Sequence, residues 1–150
     1  MQHQTITKVE DIVFQYPHHR EAVKELISIF REKDGVIALV FGGSVAKHME
    51  REDSDIDAMV IVTEEFYERK RKVNCIAECI SMGDCAYPGG YFDVKYMTKD
   101  YIRDAAEKGS EPTRNSFIGS HVLFSADEEV TELVRRIPVF QKLEFEEMML

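Results

Sequence analysis

The sequence predicts an α/β or α+β domain, in which a small mixed sheet of about four to five strands is flanked by helices. Two continuous apolar runs, residues 36–41 and 57–62, are partly β-branched and predict buried strands. Apolar residues at helical spacing between Ala22 and Phe30 predict a helix before the first strand. The chain of 150 residues is long enough for one domain with its own core.

Helices and turns around the first strand follow from caps and turn residues. A capping-box pattern predicts a short helix at residues 7–14. The helix that carries Ala22 and Phe30 follows Pro17 and is stopped by an Asp-Gly pair. A Gly-Gly turn ends the first strand, and Ser44 is then placed to be the N-cap of a short helix at residues 44–49.

The second half of the chain continues this alternation. Thr63 is placed to cap a long helix whose apolar stripe extends from Phe66 to Ile80. The remaining predicted elements, in order, are a Gly- and Pro-rich loop at 81–90, a strand at 91–97, a helix from the cap Thr98 to Gly109, one helical turn within 111–119, a strand at 121–124, and a helix that opens with a capping box at 125–128 and ends at Pro138.

The chain is expected to divide into a domain at residues 1–138 and an apolar C-terminal tail at residues 139–150. The tail is rich in Phe, Leu and Met and stops without an ending signal. We therefore expect it to be covered by a helical partner, by a second subunit of a homodimer or by a further helical domain.

Composition excludes several classes of function. The formal net charge of -9 disfavours long nucleic acid as a partner, because phosphate backbones are bound by surplus Lys and Arg. No apolar run approaches the roughly 20 residues that cross a membrane, and the N-terminus lacks a signal pattern. The three cysteines, Cys75, Cys79 and Cys85, cannot all pair within the chain, which predicts reduced thiols and a cytoplasmic location.

Asp55 and Asp57 stand at the start of the second predicted strand. Residues two apart on a strand point to the same face, so their carboxylates project together, about 6.6 Å apart along the backbone. Carboxylates this close repel each other, and one pKa rises unless a cation neutralises them. Oxygen ligands suit Mg²⁺, and such a pair can span two ions about 3.5–4 Å apart. The alternative is a polar strand entry in an acidic neighbourhood.

Gly42, Gly43 and Ser44 come ten residues before this pair. Glycines let a phosphate approach the backbone closely, and Ser44 with the N–H groups that open the next helix can bind the anion. Lys47, one turn further on, can also reach a phosphate. The spacing is not that of a Walker A loop, and the alternative is a plain strand–helix turn.

Asp93 is the candidate for a third acid. It lies in the third predicted strand among aromatic and branched residues, where a lone acid is expensive to bury. Close to Asp55 and Asp57, it could bind a second metal ion and accept the proton of an attacking hydroxyl. Lys95 is on the same strand face and could instead form a salt bridge with Asp93, or bind a phosphate.

The order of strand, Gly42-Gly43-Ser44, ten residues, Asp55-Ile56-Asp57 and a later strand aspartate resembles the nucleotidyltransferase superfamily typified by DNA polymerase beta. Within it, the chain is most similar to the small bacterial antibiotic nucleotidyltransferases and minimal nucleotidyltransferases. The resemblance covers residues 36–97 well and residues 98–137 loosely.

The resemblance implies the polymerase beta-like fold and the Mg²⁺-dependent transfer of a nucleoside monophosphate from an NTP, with ATP expected, to an acceptor hydroxyl, with release of pyrophosphate. It implies two Mg²⁺ ions. The Gly42-Gly43-Ser44 segment with Lys47 would hold the triphosphate. Asp55 and Asp57 would ligate metal, and Asp93 would be the third acid and the base.

The acceptor stays open at this stage. A small molecule such as an aminoglycoside-like antibiotic is the first expectation, although antibiotic-modifying members usually carry a second, helical domain for which 150 residues leave little room. A partner protein of an antitoxin-type enzyme, docked on the apolar tail, is the second, and a catalytically silent nucleotide-binding module the third. Arg114 and Asn115 would contact nucleotide or acceptor, or tie down their loop.

Overall fold

A mixed sheet of six strands is the central layer within residues 2–148, the part of the chain that the computed structural model describes apart from the side chains of residues 111 and 140–148. Its spatial order is β1-β6-β2-β3-β5-β4. Only the β3–β5 pair is parallel among these strands. The strands are β1 (Gln4–Thr5), β2 (Val36–Gly42), β3 (Ile56–Val62), β4 (Ala77–Ile80), β5 (Phe92–Thr98) and β6 (His121–Ser125).

Helices cover both faces of this sheet. The α-helices are α1 (Pro17–Arg31), α2 (Gly43–Ala46), α3 (Glu64–Lys72), α4 (Lys99–Lys108), α5 (Glu111–Phe117) and α6 (Glu128–Met148), and short 3₁₀ turns lie at Val9–Asp11 and Gly83–Cys85. The architecture is the predicted α/β arrangement. None of the described helices is long and apolar enough to cross a membrane.

The two faces of the sheet form two separate cores because side chains alternate along each strand. Leu39, Phe41 and Val60 pack with α1 and α3 on one face. Val40 and Ile61 pack with α4, α5 and α6 on the other. Burial on both faces explains why β2 and β3 are continuous apolar runs in the sequence.

Strand register brings the predicted site residues together at one end of the sheet. The parallel pairing of β3 with β5 sets Asp57 beside Asp93. The antiparallel pairing of β2 with β3 sets Gly42 beside Asp57. Ile56 and Ala58 point the other way into the α1 core, as the sequence predicts. Three neighbouring strands therefore present Gly42, Asp57 and Asp93 side by side.

Several local predictions are confirmed. The Thr63 side chain caps α3 by accepting a hydrogen bond from the Phe66 amide at 3.3 Å. Thr98 caps α4 in the same way by accepting one from the Tyr101 amide at 3.2 Å. Helix α4 is followed by Gly109, as expected.

The prediction of one long helix from residue 64 to residue 80 is wrong. Helix α3 ends at Lys72, and residues 77–80 form β4, an edge strand antiparallel to β5. Asn74 adopts a left-handed conformation with φ of 56°, which stops the helix. Together with the two-residue β1, β4 raises the strand count from the expected four or five to six.

Three helix ends also differ from prediction. The capping box at residues 7–14 yields only the 3₁₀ turn at Val9–Asp11, without a side-chain cap. Helix α2 starts at Gly43, with Gly42 as its N-cap, so Ser44 lies inside it rather than capping it, and it ends at Ala46 rather than Met49.

Pro138 lies inside α6 and does not end it. An interior proline removes one backbone hydrogen bond, a cost that the rest of a long helix can offset. Asp127 caps this helix by accepting a hydrogen bond from the Glu129 amide at 2.9 Å. The expected apolar tail at 139–150 falls partly in α6, but the side chains beyond residue 139 lie outside the described part.

Asn74→Ala tests whether the left-handed residue between α3 and β4 defines this boundary. We expect Asn74→Ala to lower the free energy of unfolding by about 1 kcal/mol, because alanine tolerates this conformation poorly, whereas Asn74→Gly retains stability. Urea unfolding of both variants measures the difference. Equal stabilities of the alanine and glycine variants would contradict the assignment.

Candidate active site

Three carboxylates meet at the end of the sheet where β2, β3 and β5 lie side by side. Asp57 is on β3, Asp93 is opposite it on β5, and Asp55 directly precedes β3. One oxygen of each of the three side chains lies within 4.8 Å of the others, and all three side chains are partly buried. The structure thus brings together the three acids that the sequence singles out, here called the acid triad.

Electrostatic repulsion within the acid triad contributes to a raised pKa of Asp57. Burial, followed by the negative charges of Asp55 and Asp93, raises the pKa of Asp57 to about 7. The positive charge of Lys95 opposes this increase. Without a cation between the carboxylates, the triad therefore retains a proton near neutral pH.

The donor set of the acid triad fits a divalent metal ion. Three carboxylate oxygens converge within 4.8 Å, which are the ligand type and spacing that Mg²⁺ binds in proteins. A bound dication would also remove the repulsion that raises the pKa of Asp57.

Tyr91 is a neighbour of the acid triad that the sequence analysis does not assign to the site. The negative charge of the nearby Asp55 carboxylate raises the pKa of Tyr91. Tyr91 immediately precedes β5, and it is 39% exposed. In the sequence, only its position directly before the Phe92-Asp93 pair could have indicated that Tyr91 lies near the site.

Gly43 is required by the close approach of Asp57. It has a φ of 76°, and a β-carbon built on it would overlap Oδ2 of Asp57. A β-carbon on Gly42 would lie 2.7 Å from Cε of Met59. The Gly-Gly turn therefore leaves room for an acid of the triad, a role beyond that of a plain strand–helix turn.

A cavity of about 230 Å³ opens beside the acid triad. It is lined by Gly43, Lys47, Asp57 and Asp93 from the predicted set, so it joins the glycine turn to two of the acids. Ser44, Gly42 and Asp55 are not among its lining residues. Lys95, which the sequence offered as a partner of Asp93 or of a phosphate, also lines it. Four further lining residues had no role predicted from the sequence: Ala58, Met59, Met97 and Ser116.

Lys47 lies across this cavity from β5. Its Nζ donates a hydrogen bond to the backbone oxygen of Asn115 in α5 at 3.1 Å. Asn115 also lines the cavity, whereas Arg114 is 3% exposed and lies within the fold. Of the two α5 residues that the sequence left open, Asn115 is therefore at the site and Arg114 is buried away from the cavity.

Among the ion pairs of the described residues, there is no salt bridge between Asp93 and Lys95, which was the structural alternative for Asp93. Lys95 instead lies at the cavity wall with an exposed side chain.

Comparison with protein families identifies this arrangement. The model of the nucleotidyltransferase domain matches residues 23–111, which is more than half of the chain and includes the glycine turn and all three acids. The chain belongs to the nucleotidyltransferase domain family. It is therefore a nucleotidyltransferase enzyme, as the resemblance implied.

Other comparisons of this nucleotidyltransferase are more distant. A crystal structure of a toxin-antitoxin with AMP-PNP is similar with a TM-score of 0.42 and 14% identity, over 84% of this chain and 92% of that chain. No curated protein matches the sequence.

Replacing Gly43 by alanine tests the contact with Asp57. Gly83 is a matched control, because its φ of 64° is also left-handed but a β-carbon there meets nothing within 4 Å. We expect Gly83→Ala to cost about 1 kcal/mol of unfolding free energy from backbone strain alone. Gly43→Ala should cost clearly more, because Asp57 must also move. Urea unfolding gives both values, and equal losses would show that Asp57 does not constrain Gly43.

The raised pKa of Asp57 predicts a pH-dependent stability of the metal-free nucleotidyltransferase. The folded state, with a pKa of about 7 against 3.8 for the ordinary side chain, binds more protons than the unfolded state between these values. The free energy of unfolding therefore falls as pH rises through this window. An asparagine at position 57 cannot lose a proton, so the stability of Asp57→Asn does not fall in this way. In EDTA we therefore expect the free energy of unfolding of Asp57→Asn, compared with that of the parent, to increase from pH 4 to pH 8.

Urea unfolding across this pH range, with Asp53→Asn as the control, measures the effect. Asp53 is an exposed acid in the loop before β3 and is not part of the acid triad. Parallel pH profiles for the parent and Asp57→Asn would contradict the raised pKa.

Proposed function

We propose that this nucleotidyltransferase uses Mg²⁺ to move a nucleoside monophosphate from an NTP, with ATP as the donor, to a hydroxyl of a small-molecule acceptor. The observation that supports this proposal most strongly is the acid triad, whose three carboxylate oxygens converge within 4.8 Å beside an open cavity. A purely structural role does not require three mutually repelling acids, two of them in a cavity wall.

Asp55, Asp57 and Asp93 are proposed as the metal ligands of this site. Two Mg²⁺ ions bound there would neutralise the phosphates and stabilise the charge on the attacking and leaving oxygens.

The triphosphate is proposed to lie along the glycine turn. Gly43 lines the cavity at this turn, and Ser44 and Lys47 supply a hydroxyl and a cation on the segment that follows. The position of Lys47 supports this placement, because Lys47 and Gly43 line the same cavity. A phosphate near Gly43 would replace the backbone oxygen of Asn115 as the partner of this ammonium group.

Asp93 is proposed as the base. The acceptor hydroxyl gives its proton to a carboxylate oxygen of Asp93, and its oxygen forms a new bond to the α-phosphorus. The bond from the α-phosphorus to the oxygen that bridges to the β-phosphate breaks, and its electron pair leaves with pyrophosphate. Atoms and charge balance without a further reactant.

The nucleotidyltransferase is proposed to work in the cytoplasm, which the three free thiols of Cys75, Cys79 and Cys85 support. We also propose residues 1–138 as the catalytic domain.

A partner protein or a homodimer docked on the apolar tail was the second expectation, and the tail side chains that would carry it lie outside the described part of the chain. A small-molecule acceptor is supported by the cavity beside Asp57 and Asp93.

Asp57→Asn tests the proposed metal and nucleotide site. We expect this variant to bind ATP in the presence of Mg²⁺ roughly tenfold more weakly or worse, because the metal loses one anionic ligand. A tenfold change corresponds to about 1.4 kcal/mol of binding free energy. Asp53→Asn, which changes the same charge in an exposed loop position, should bind ATP as the parent does. Titration calorimetry with and without EDTA gives these affinities, and unchanged binding by Asp57→Asn would overturn the assignment.

Asp93→Asn separates an enzyme from a silent nucleotide-binding module. Removal of a general base lowers turnover by about 10²–10⁴-fold, so the variant should lose pyrophosphate release measured against a panel of alcohols. A parent protein that binds Mg-ATP but releases no pyrophosphate with any alcohol would favour the silent module.

A further inference from the structure

Asp55 differs from the other two acids of the triad because it lies outside the sheet. Asp57 and Asp93 belong to the paired strands β3 and β5, whereas Asp55 precedes β3. Strand pairing alone therefore does not fix the direction of the Asp55 side chain. A metal site needs each of its ligands held in a defined position, so the contacts that hold Asp55 matter for the proposed site.

The loop between β4 and β5 holds the peptide groups on both sides of Asp55. The hydroxyl of Tyr87 donates a hydrogen bond to the backbone oxygen of Ser54 at 2.6 Å. The amide of Ile56 donates a hydrogen bond to the backbone oxygen of Tyr91 at 3.0 Å. Because each peptide group is planar, holding both of them fixes the two backbone dihedral angles of Asp55. The direction in which its carboxylate projects then depends on this loop.

The β4–β5 loop, residues 81–91, also packs tightly against the segment before β3. Gly89 has a φ of 82°, and a β-carbon built on it would lie 3.1 Å from the backbone oxygen of Asp53 and 3.2 Å from its Cβ. A side chain at position 89 would therefore push against the chain two residues before Asp55. The glycine allows the loop to come close enough for the hydrogen bond from Tyr87.

The ring of Tyr87 is held by contacts that do not involve its hydroxyl. The ring centroid lies 4.4 Å from that of His18 and 5.3 Å from that of His19, and both histidines belong to α1. Burial, followed by the negative charge of Asp55, raises the pKa of Tyr87 to about 12. The hydroxyl therefore stays protonated at neutral pH and remains a donor to the Ser54 oxygen.

We infer that Tyr87 is a positioning residue of the proposed metal site, whose hydroxyl holds the peptide group before Asp55 so that the Asp55 carboxylate meets those of Asp57 and Asp93. This inference rests on the proposed function and adds to it a residue that binds neither metal nor nucleotide. Tyr87 is not among the residues that line the cavity of the acid triad. It therefore acts on a bound metal ion through Asp55.

Tyr87→Phe tests this role, because it removes the hydroxyl and keeps the ring that packs on His18. Mn²⁺, which replaces Mg²⁺ at oxygen sites, is the probe, and electron paramagnetic resonance measures its affinity in the presence of a non-hydrolysable ATP analogue. Partners that orient metal ligands contribute about 10–100-fold to metal affinity, so we expect Tyr87→Phe to bind Mn²⁺ about tenfold more weakly than the parent. A loss of less than about threefold would overturn the inference.

Tyr96→Phe is the matched control for a general loss of stability. The Tyr96 hydroxyl donates a hydrogen bond to Oε1 of Glu78 at 2.5 Å, so this variant also loses a tyrosine hydrogen bond. Tyr96 is in the core next to α1, on the opposite face of β5 from Asp93. We expect Tyr96→Phe to lose stability in urea unfolding but to bind Mn²⁺ as the parent does. Equal weakening of Mn²⁺ binding in both variants would overturn the inference.

A double-mutant cycle shows whether Tyr87 acts through Asp55. In an Asp55→Asn background, the ligand that Tyr87 orients has already lost its charge. We therefore expect Tyr87→Phe to change Mn²⁺ affinity by no more than about twofold in that background. The same loss in the Asp55→Asn background as in the parent would show that the two residues act independently, and would overturn the inference.

Asp57→Asn distinguishes failure of this inference from failure of the proposed function. If the parent binds no Mn²⁺, or if Asp57→Asn binds it as the parent does, the acid triad is not the metal site and both proposals are wrong. If Asp57→Asn binds Mn²⁺ more weakly while Tyr87→Phe binds it as the parent does, the metal site stands and only the role of Tyr87 is wrong.

Discussion

Repulsion among three carboxylates at one end of the sheet is the constraint on which the rest of the site depends. Asp55, Asp57 and Asp93 converge within 4.8 Å, and burial with this crowding raises the pKa of Asp57 to about 7. Such a cluster opposes folding unless a proton or a cation neutralises it. The fold therefore holds the acids in an arrangement that a divalent metal ion would stabilise.

Backbone pairing supplies the rigidity that this arrangement needs. The parallel register of β3 and β5 places Asp57 and Asp93 side by side, and β2 brings the glycine turn against Asp57. Both cores of the sheet hold these strands in place, with α1 behind them and α4 and α6 in front. Side chains supported in this way cannot separate far enough to relieve their repulsion, which keeps the site ready for a cation.

The sequence predicted the parts of the fold that depend on local patterns. Buried strands such as β2 and β3 appear in the sequence as apolar runs, and the predicted caps Thr63 and Thr98 are the N-caps of α3 and α4. The acid triad was also predictable, because Asp55 and Asp57 share strand spacing and Asp93 is an acid in an otherwise apolar strand. Family membership was readable from the same residues, since their order and spacing are specific.

Features that depend on tertiary contacts were not predictable in the same way. The apolar spacing of residues 76–80 fits a helix as well as a strand, and only the left-handed Asn74 and the pairing with β5 decide for β4. The contact of Gly43 with Asp57 joins residues of two elements that are distant in the sequence, so the sequence suggested only a phosphate or a plain strand–helix turn as the reason for the glycine.

The most direct test of the account is to find where a divalent metal binds together with a nucleotide. Mn²⁺, which replaces Mg²⁺ at oxygen sites and broadens nearby NMR signals, can be titrated in trace amounts with a non-hydrolysable ATP analogue. The account predicts that the backbone signals of Asp55, Asp57 and Asp93 broaden first, with Gly43 among the next. Broadening centred elsewhere, for example on Glu64 and Glu65 of α3, with the acid triad unaffected, would contradict it.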